Sequence, residues 1–273
     1  MARIVDLVHY PVKGCAGKSL PAADVTPAGL AHDRTFMAVA PDGRFRSQRQ
    51  SPVMAVIKPE LSADGGRLRL TAPGVEDLDL AVAFDGRRLV VQVFAWEGKG
   101  VDQGDEAADW FSTVLGQESR LVRVPPDHTR VASGETPGTA GFADGHAILV
   151  ASESSLDSLN ERIAAAGGEA VPMDRFRPNL IVRGWAEPHA EDRVRAMRAG
   201  TAEFGYARVC TRCTVPMVDQ ETGRKAGPEP IRSLARYRRS AEGPVEFGMK
   251  AAVTRPGQVA VGDEVIVHSW AAG

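Results

Sequence analysis

Three cysteines are few for a chain of 273 residues. So odd and sparse a count cannot build a disulfide framework. It fits a reducing compartment in which thiols are buried or do chemistry. An excess of one charge sign is also lacking: the formal net charge is −2, so nothing marks the chain as a binder of nucleic acid or of a membrane surface. No run of 18 or more apolar residues occurs, and Asp6, His9 and Pro11 break up the first dozen residues. Neither a membrane span nor an export signal is expected, and the cytoplasm is the expected location. Internal repeats and low-complexity tracts are missing as well. With 43% hydrophobic and 25% charged residues, the chain suits a soluble globular protein holding one large or two medium cores.

What is present reads first as β structure. Ile4 to Tyr10, Thr35 to Ala40, Arg67 to Thr71 and Leu89 to Phe94 are strand-like runs separated by turn signals such as Pro41-Asp42-Gly43. Short strands so spaced point to a barrel or sandwich rather than βαβ units. A helix is expected from Glu106 to Leu115, with Asp105 as N-cap, an apolar face of Trp110, Phe111, Val114 and Leu115, and Gly116 past its end. Residues 124–141 are rich in Pro and Gly and read as a long loop. Beyond it come a strand at Ala147 to Val150 and a helix capped by Ser152 or Ser154, with Leu156, Leu159 and Ile163 on one face. Leu180 to Val182, Ala202 to Val209 and Glu264 to Val267 read as strands, and Ile231 to Arg238 as a short helix.

The chemically richest stretch is Arg208-Val209-Cys210-Thr211-Arg212-Cys213, followed by Val218-Asp219-Gln220-Glu221-Thr222-Gly223. A C-x-x-C pair has a bland reading as two buried small residues. Structural zinc needs about four ligands, and neither Cys15 nor the six scattered histidines supply paired spacing. Disulfide exchange wants the pair at a helix start, which Thr214-Val215-Pro216 disfavours. A single thiolate beside Arg212 is the best chemical reading. Lys13-Gly14, Arg34 and Arg177 each sit at the edge of an apolar segment. Singly each reads as surface charge; together they could grip one anion by guanidinium forks and backbone amides.

Taken in order, these residues resemble the MOSC proteins, most of all the branch of the mitochondrial amidoxime-reducing component. His9-Tyr10-Pro11-Val12-Lys13, Asp33-Arg34, Ser47-Gln48-Arg49, Phe142-Ala143-Asp144-Gly145, Phe176-Arg177-Pro178-Asn179 and the Cys-Thr-Arg-Cys stretch carry the resemblance, which runs nearly end to end. It implies a β-rich α+β fold: an N-terminal MOSC-type β domain over 1–120, then a MOSC β-barrel with peripheral helices over 121–270. The first strand is expected to pair with the second unit, which softens the boundary.

The resemblance also implies a molybdenum cofactor, Mo-molybdopterin, with Cys213 as the metal ligand and Cys210 as a packed neighbour. Lys13, Arg34 and Arg177 fall on positions that hold the cofactor's anionic end. Thr211 and Arg212 would flank the pterin, Gly145 and His146 would lend backbone contacts, and Gly14 would offer backbone where relatives have serine. Asp219 has two readings, a turn residue capping Thr222-Gly223 and a proton source in catalysis. The implied activity is reduction of small N-hydroxylated or related N–O substrates. Electrons would come from separate proteins, a flavin reductase with a ferredoxin or a b-type haem protein, because no four-cysteine iron–sulfur run is present. Neither an iron–sulfur cluster nor pyridoxal phosphate is expected. The alternative is a cofactor carrier or sulfur-transfer protein without reductase activity.

Overall fold

Apolar residues alternate with polar ones in several short runs, such as Lys58–Leu61, Arg67–Thr71 and Leu78–Ala81, and the computed structural model, which describes residues 1–240 and 243–271, is rich in strand. With 41% strand and 17% helix, the protein is β-rich α+β. Its largest sheet has eight strands in the order Val265–Trp270, Val194–Ala199, Ala202–Arg212, Val245–Arg255, Ile148–Ser152, Leu180–Arg183, Arg3–His9 and Lys18–Ser19. Only the pair Ile148–Ser152 and Leu180–Arg183 is parallel. The chain between them forms the helix Glu153–Ala165, the crossover that a parallel pair requires.

The first strand therefore belongs to a sheet built mainly from the C-terminal half. Backbone bonds from Ile4 N to Asp263 O and from Val265 N to Ala2 O, both 2.9 Å, draw the two sides of this sheet together. Ile4, Leu7, Val150, Leu180, Phe204 and Met249 fill its interior. A second sheet of five strands, Arg88–Val93, Trp96–Asp102, Arg120–Arg123, Phe36–Val39 and Val12–Lys13, belongs to the N-terminal half. Its companion core contains Phe36, Met54, Ile57 and Phe111.

Local chemistry accounts for both longer helices. Ser152 Oγ accepts from Ser155 N, the N-cap bond, while Leu159 and Ile163 bury one face. The helix Asp105–Leu115 begins one residue earlier than expected: Gly104, at φ +93, is the N-cap, and Asp105 lies in the first turn, where its charge still favours the positive end of the helix dipole. Ala107, Ala108, Phe111 and Leu115 form its buried face, with Trp110 and Val114 at the margin.

The long loop at 124–141 is not structureless. Val131–Ala132 pairs with Gly138–Thr139, and Thr136 N bonds Tyr206 O at 2.9 Å, pinning this hairpin onto the strand Ala202–Arg212. Among the described residues, no helix is long and apolar enough to cross a membrane.

Candidate functional site

One cleft gathers most of the residues singled out by sequence. It lies where the turn after Val12–Lys13, the loop 141–146, the turn at 173–179 and the end of the strand Ala202–Arg212 converge. Lys13, Gly14, Arg34, Gly145 and His146 all line it. So do Arg177, Thr211, Arg212 and Cys213.

The turn carrying Lys13 is fixed by Gly14, at φ +83. That backbone angle calls for glycine, while a Cβ there would meet only the movable end of Met54, 2.9 Å away at Cε. Its carbonyl accepts from Gln48 Nε2 at 2.7 Å. Lys13 is buried, with its ammonium 4.8 Å from the Phe45 ring centre and ion-paired to Asp144. The Asp144 side chain is 55% exposed and opens onto the cleft. Desolvation there works to raise its pKa, and the Lys13 ammonium outweighs this, holding the carboxyl below the usual range.

Arg34 and Arg177 both adopt the left-handed backbone, at φ +47 and +56, a conformation uncommon for non-glycine residues and concentrated at functional sites. Tertiary bonds hold them there. Arg34 N bonds Tyr10 O at 2.7 Å, and Arg34 O accepts from Phe142 N at 2.9 Å. Both guanidinium groups lie over the Tyr10 ring, 4.4 and 4.3 Å from its centre. Arg34 pairs with Asp33 at 2.6 Å and with Asn179 Oδ1 at 2.9 Å. Arg177 donates to Cys15 O at 2.6 Å and to Gln220 Oε1 at 3.2 Å. Burial pushes the Tyr10 hydroxyl and the Cys15 thiol each up to about 12, so neither ionises at neutral pH.

The Cys-Thr-Arg-Cys stretch ends the strand Ala202–Arg212, which runs three residues further than the apolar pattern suggests. Its register against Val245–Arg255 shifts between Val209 and Thr211, a bulge of the kind that re-aims side chains beside functional sites. The two cysteines are thereby separated. Cys210 is buried and accepts from Arg212 Nη1 at 3.0 Å, while Arg212 Nη2 donates to Phe176 O at 2.8 Å. Cys213 is exposed, and its thiol is free. Of the two sulfurs, the one beside the Arg212 guanidinium is that of Cys210.

Asp219 lies outside the lining. Its Oδ1 accepts from Thr222 N at 2.8 Å, Thr222 Oγ1 at 2.9 Å and Glu221 N at 3.1 Å, and Arg175 donates to its Oδ2 at 3.2 Å. The Thr222 amide is the largest influence holding its carboxyl below the usual range. This is the geometry of a turn-capping residue, and a carboxyl so held is ionised near neutral pH and has no proton to give.

Sequence reasoning missed several members of the site. Asn179, 1% exposed, bonds Val8 O, Asp33, Leu149 N and Arg34 at once. Lys250 enters from the strand Val245–Arg255. The available signal was its position as a lone charge inside the apolar run Phe247 to Val253. Phe45 and Phe94 also line the cleft with nothing in their neighbouring sequence to mark them, and Arg49 lines it from the run Ser47-Gln48-Arg49, where the sequence assigned it no role.

The lining is cationic, with Asp144 its one carboxylate among the described residues. His146, 7% exposed, has no partner for either ring nitrogen among the described residues. Burial, with the charges of Lys250 and Arg208, lowers its pKa to about 4, so the ring is neutral near pH 7. Arg212 Nε is likewise without a partner there.

Two domain models match the chain: the MOSC N-terminal beta barrel domain over residues 1–118 and the MOSC domain over residues 137–266. The sequence is 31% identical to the mitochondrial amidoxime-reducing component 1 of Mus musculus, covering 96% of this chain and 81% of that protein. It is 30% identical to the Homo sapiens protein of the same name, covering 96% and 82%. It is also 29% identical to a molybdenum cofactor sulfurase of Oryza sativa subsp. japonica, over 89% of this chain but only 31% of that longer protein.

Proposed function

The chain belongs to the MOSC-domain proteins of the amidoxime-reducing component type, and on that premise we propose that it is a molybdenum-cofactor-dependent reductase of small N-hydroxylated or related N–O compounds. One observation carries the reading: an exposed thiol, Cys213, at a strand end opening on a cleft lined by cations. Among the described residues, no three His, Cys, Asp or Glu gather to hold a metal. A metal held through Cys213 would therefore take most of its ligands from a non-protein group. Molybdopterin is such a group, with two dithiolene sulfurs and an anionic phosphate, and the partnerless nitrogens of His146 and Arg212 leave donors free for a polar ring system.

In this reading Cys213 holds the metal, while Lys13, Arg34 and Arg177, with the backbone at Gly14, hold the anionic end. Thr211, Arg212, Gly145 and His146 flank the pterin. When bound, the cofactor supplies a two-electron metal centre able to take oxygen from an N–O bond. The chain's own residues fix its orientation and, through the buried Tyr10 and Phe176 beneath the arginines, back the site with apolar surface. Asp219 has a structural part as the cap of its turn. Electrons come from separate carriers, a flavin reductase with a ferredoxin or a b-type haem protein, and the same reading sets the protein in the cytoplasm.

Protein purified from a cofactor-producing host should contain molybdenum and reduce benzamidoxime with an artificial donor. Cys213→Ala should abolish turnover and metal retention, whereas Cys210→Ala, which removes one of the two hydrogen-bond partners of Arg212, should keep much of both. Full activity in Cys213→Ala would sink the proposal. The similarity to a cofactor sulfurase favours one other reading, a cofactor carrier. Loaded protein that reduces nothing yet passes its cofactor to an apo-enzyme would establish it.

A further inference from the structure

Ser47-Gln48-Arg49 lines the cleft apart from the residues assigned to the cofactor. Gln48 is buried and exchanges hydrogen bonds with Gln220 at 3.0 and 2.9 Å, tying the N-terminal turn to the segment after Asp219. This anchoring sends Arg49 into the cleft. Its Nε donates to Ser47 Oγ at 3.3 Å, and among the described residues neither terminal nitrogen has a hydrogen-bond or carboxylate partner.

Two aromatic rings hold the guanidinium. Its carbon lies 5.6 Å from the Phe45 ring centre and 5.3 Å from that of Phe94. The rings themselves meet edge to face at 5.1 Å. Phe94 is 47% exposed and sits at φ +54, in the left-handed region, at the tip of the hairpin formed by Arg88–Val93 and Trp96–Asp102. A large apolar side chain presented at a cleft mouth on a strained turn gives up burial and backbone comfort together. One exposed apolar side chain is ordinary by itself; Phe94 is distinguished by its packing against Phe45 and the Arg49 guanidinium at the cleft. It stands beside a cation that no carboxylate neutralises among the described residues.

We propose that Phe45, Phe94 and Arg49 form a substrate-selecting wall of the Cys213 cleft, fitted to planar aromatic compounds that carry an anionic group. The ring of the substrate lies against Phe94, and its carboxylate or phosphate takes the free fork of Arg49. The inference deepens the reductase reading and rests on it for the reacting group, but not for the recognition.

Calorimetry on the cofactor-loaded protein tests the recognition without turnover. The probes are benzamide and 4-carbamoylbenzoate, which lack an N–O bond and differ by one carboxylate. The wild type should bind the carboxylate about tenfold more tightly. Arg49→Gln should reduce that preference to within about twofold, and Arg49→Lys should keep part of it. Phe94→Ala should weaken both probes alike, by about fivefold. In parallel, kcat/KM for 4-carboxybenzamidoxime over benzamidoxime should follow the same order. Equal binding of the two probes by the wild type, or a preference that survives Arg49→Gln, overturns the proposal. Absence of turnover with both oximes, the calorimetric preference intact, overturns the reductase reading instead.

Discussion

Five of the seven cations lining the cleft fall into two sets that differ in how they are neutralised; Arg46 and Arg212, bonded to neutral groups, belong to neither. Lys13, Arg34 and Arg177 are largely buried, with side chains or residues 7%, 14% and 9% exposed. Each is answered from within: Lys13 by Asp144, Arg34 by Asp33 and Asn179, Arg177 by Cys15 O and Gln220. Arg49 and Lys250 are half-buried and meet no carboxylate among the described residues. Desolvated charge requires partners, whereas charge at a wet rim does not. The inner set thus sets three cations against two carboxylates and acts as scaffold as well as anion grip. The outer set is spare charge. Losing an inner cation confuses folding with binding; losing an outer one separates them.

The strongest way to break this contrast is Asp33→Ala. The Asp33 side chain is 1% exposed, its Oδ1 accepts from Tyr10 N at 2.8 Å and Asn179 Nδ2 at 3.1 Å, and its Oδ2 pairs with Arg34. Removal leaves a buried guanidinium without its counter-ion, which costs about 3–5 kcal/mol. Urea unfolding should show this loss, and Asp33→Asn, which keeps an acceptor, should show less. A loss under about 1 kcal/mol would mean that the inner pairs are not structural.

Lys13→Met comes next, and pH exposes its sign. Lys13 depresses the folded-state pKa of Asp144 against the opposing effect of desolvation. The stabilisation from that pair is therefore complete above the unfolded carboxylate value, roughly pH 4, and is lost as pH falls through the lower folded value. Burial lowers the pKa of Lys13 itself against the pull of Asp144 and offsets part of this gain, so we expect Lys13→Met to cost about 1 kcal/mol at pH 7. The gap to wild type should narrow below pH 4. Denaturation curves at neutral and acid pH that run parallel would show that Asp144 is not what Lys13 stabilises.

That contrast also explains what could be read from the chain. Alternation and caps are local, so the early strands, the Ser152 cap and the β-rich class were legible. The strand Val194–Ala199 was not, because Arg195 and Arg198 interrupt its apolar positions, though Val194, Met197 and Ala199 are buried. Nor was Val245–Arg255, where Gly248 at φ +80 and two alanines blur the pattern. The inner cations were legible because each ends an apolar segment. Their partners were not: Lys13 and Asp144 stand 131 residues apart, and Arg34 and Asn179 stand 145 apart. Which cysteine meets Arg212 depends on a bulge against a distant strand, and a C-x-x-C spacing holds no trace of that.

The smallest stability effect belongs to Lys250→Gln, and it defines the outer set most sharply. Lys250 Nζ lies 3.4 Å from where a Cβ on Gly145 would sit and has no hydrogen-bond partner among the described residues. Glutamine keeps most of the stem, so unfolding should shift by no more than about 0.5 kcal/mol. Two other quantities should move. His146, held at about 4 partly by this charge, should titrate at higher pH, which the ring-proton NMR signal reads directly. Molybdenum left after dialysis at high salt should fall about threefold to tenfold, since an unpartnered ammonium is free to hold an anion. A Lys250→Gln protein that is destabilised by more than about 1 kcal/mol yet keeps its metal and its His146 titration would move Lys250 into the inner set. Partner status would then no longer separate the cations that build this cleft from those that serve its ligand.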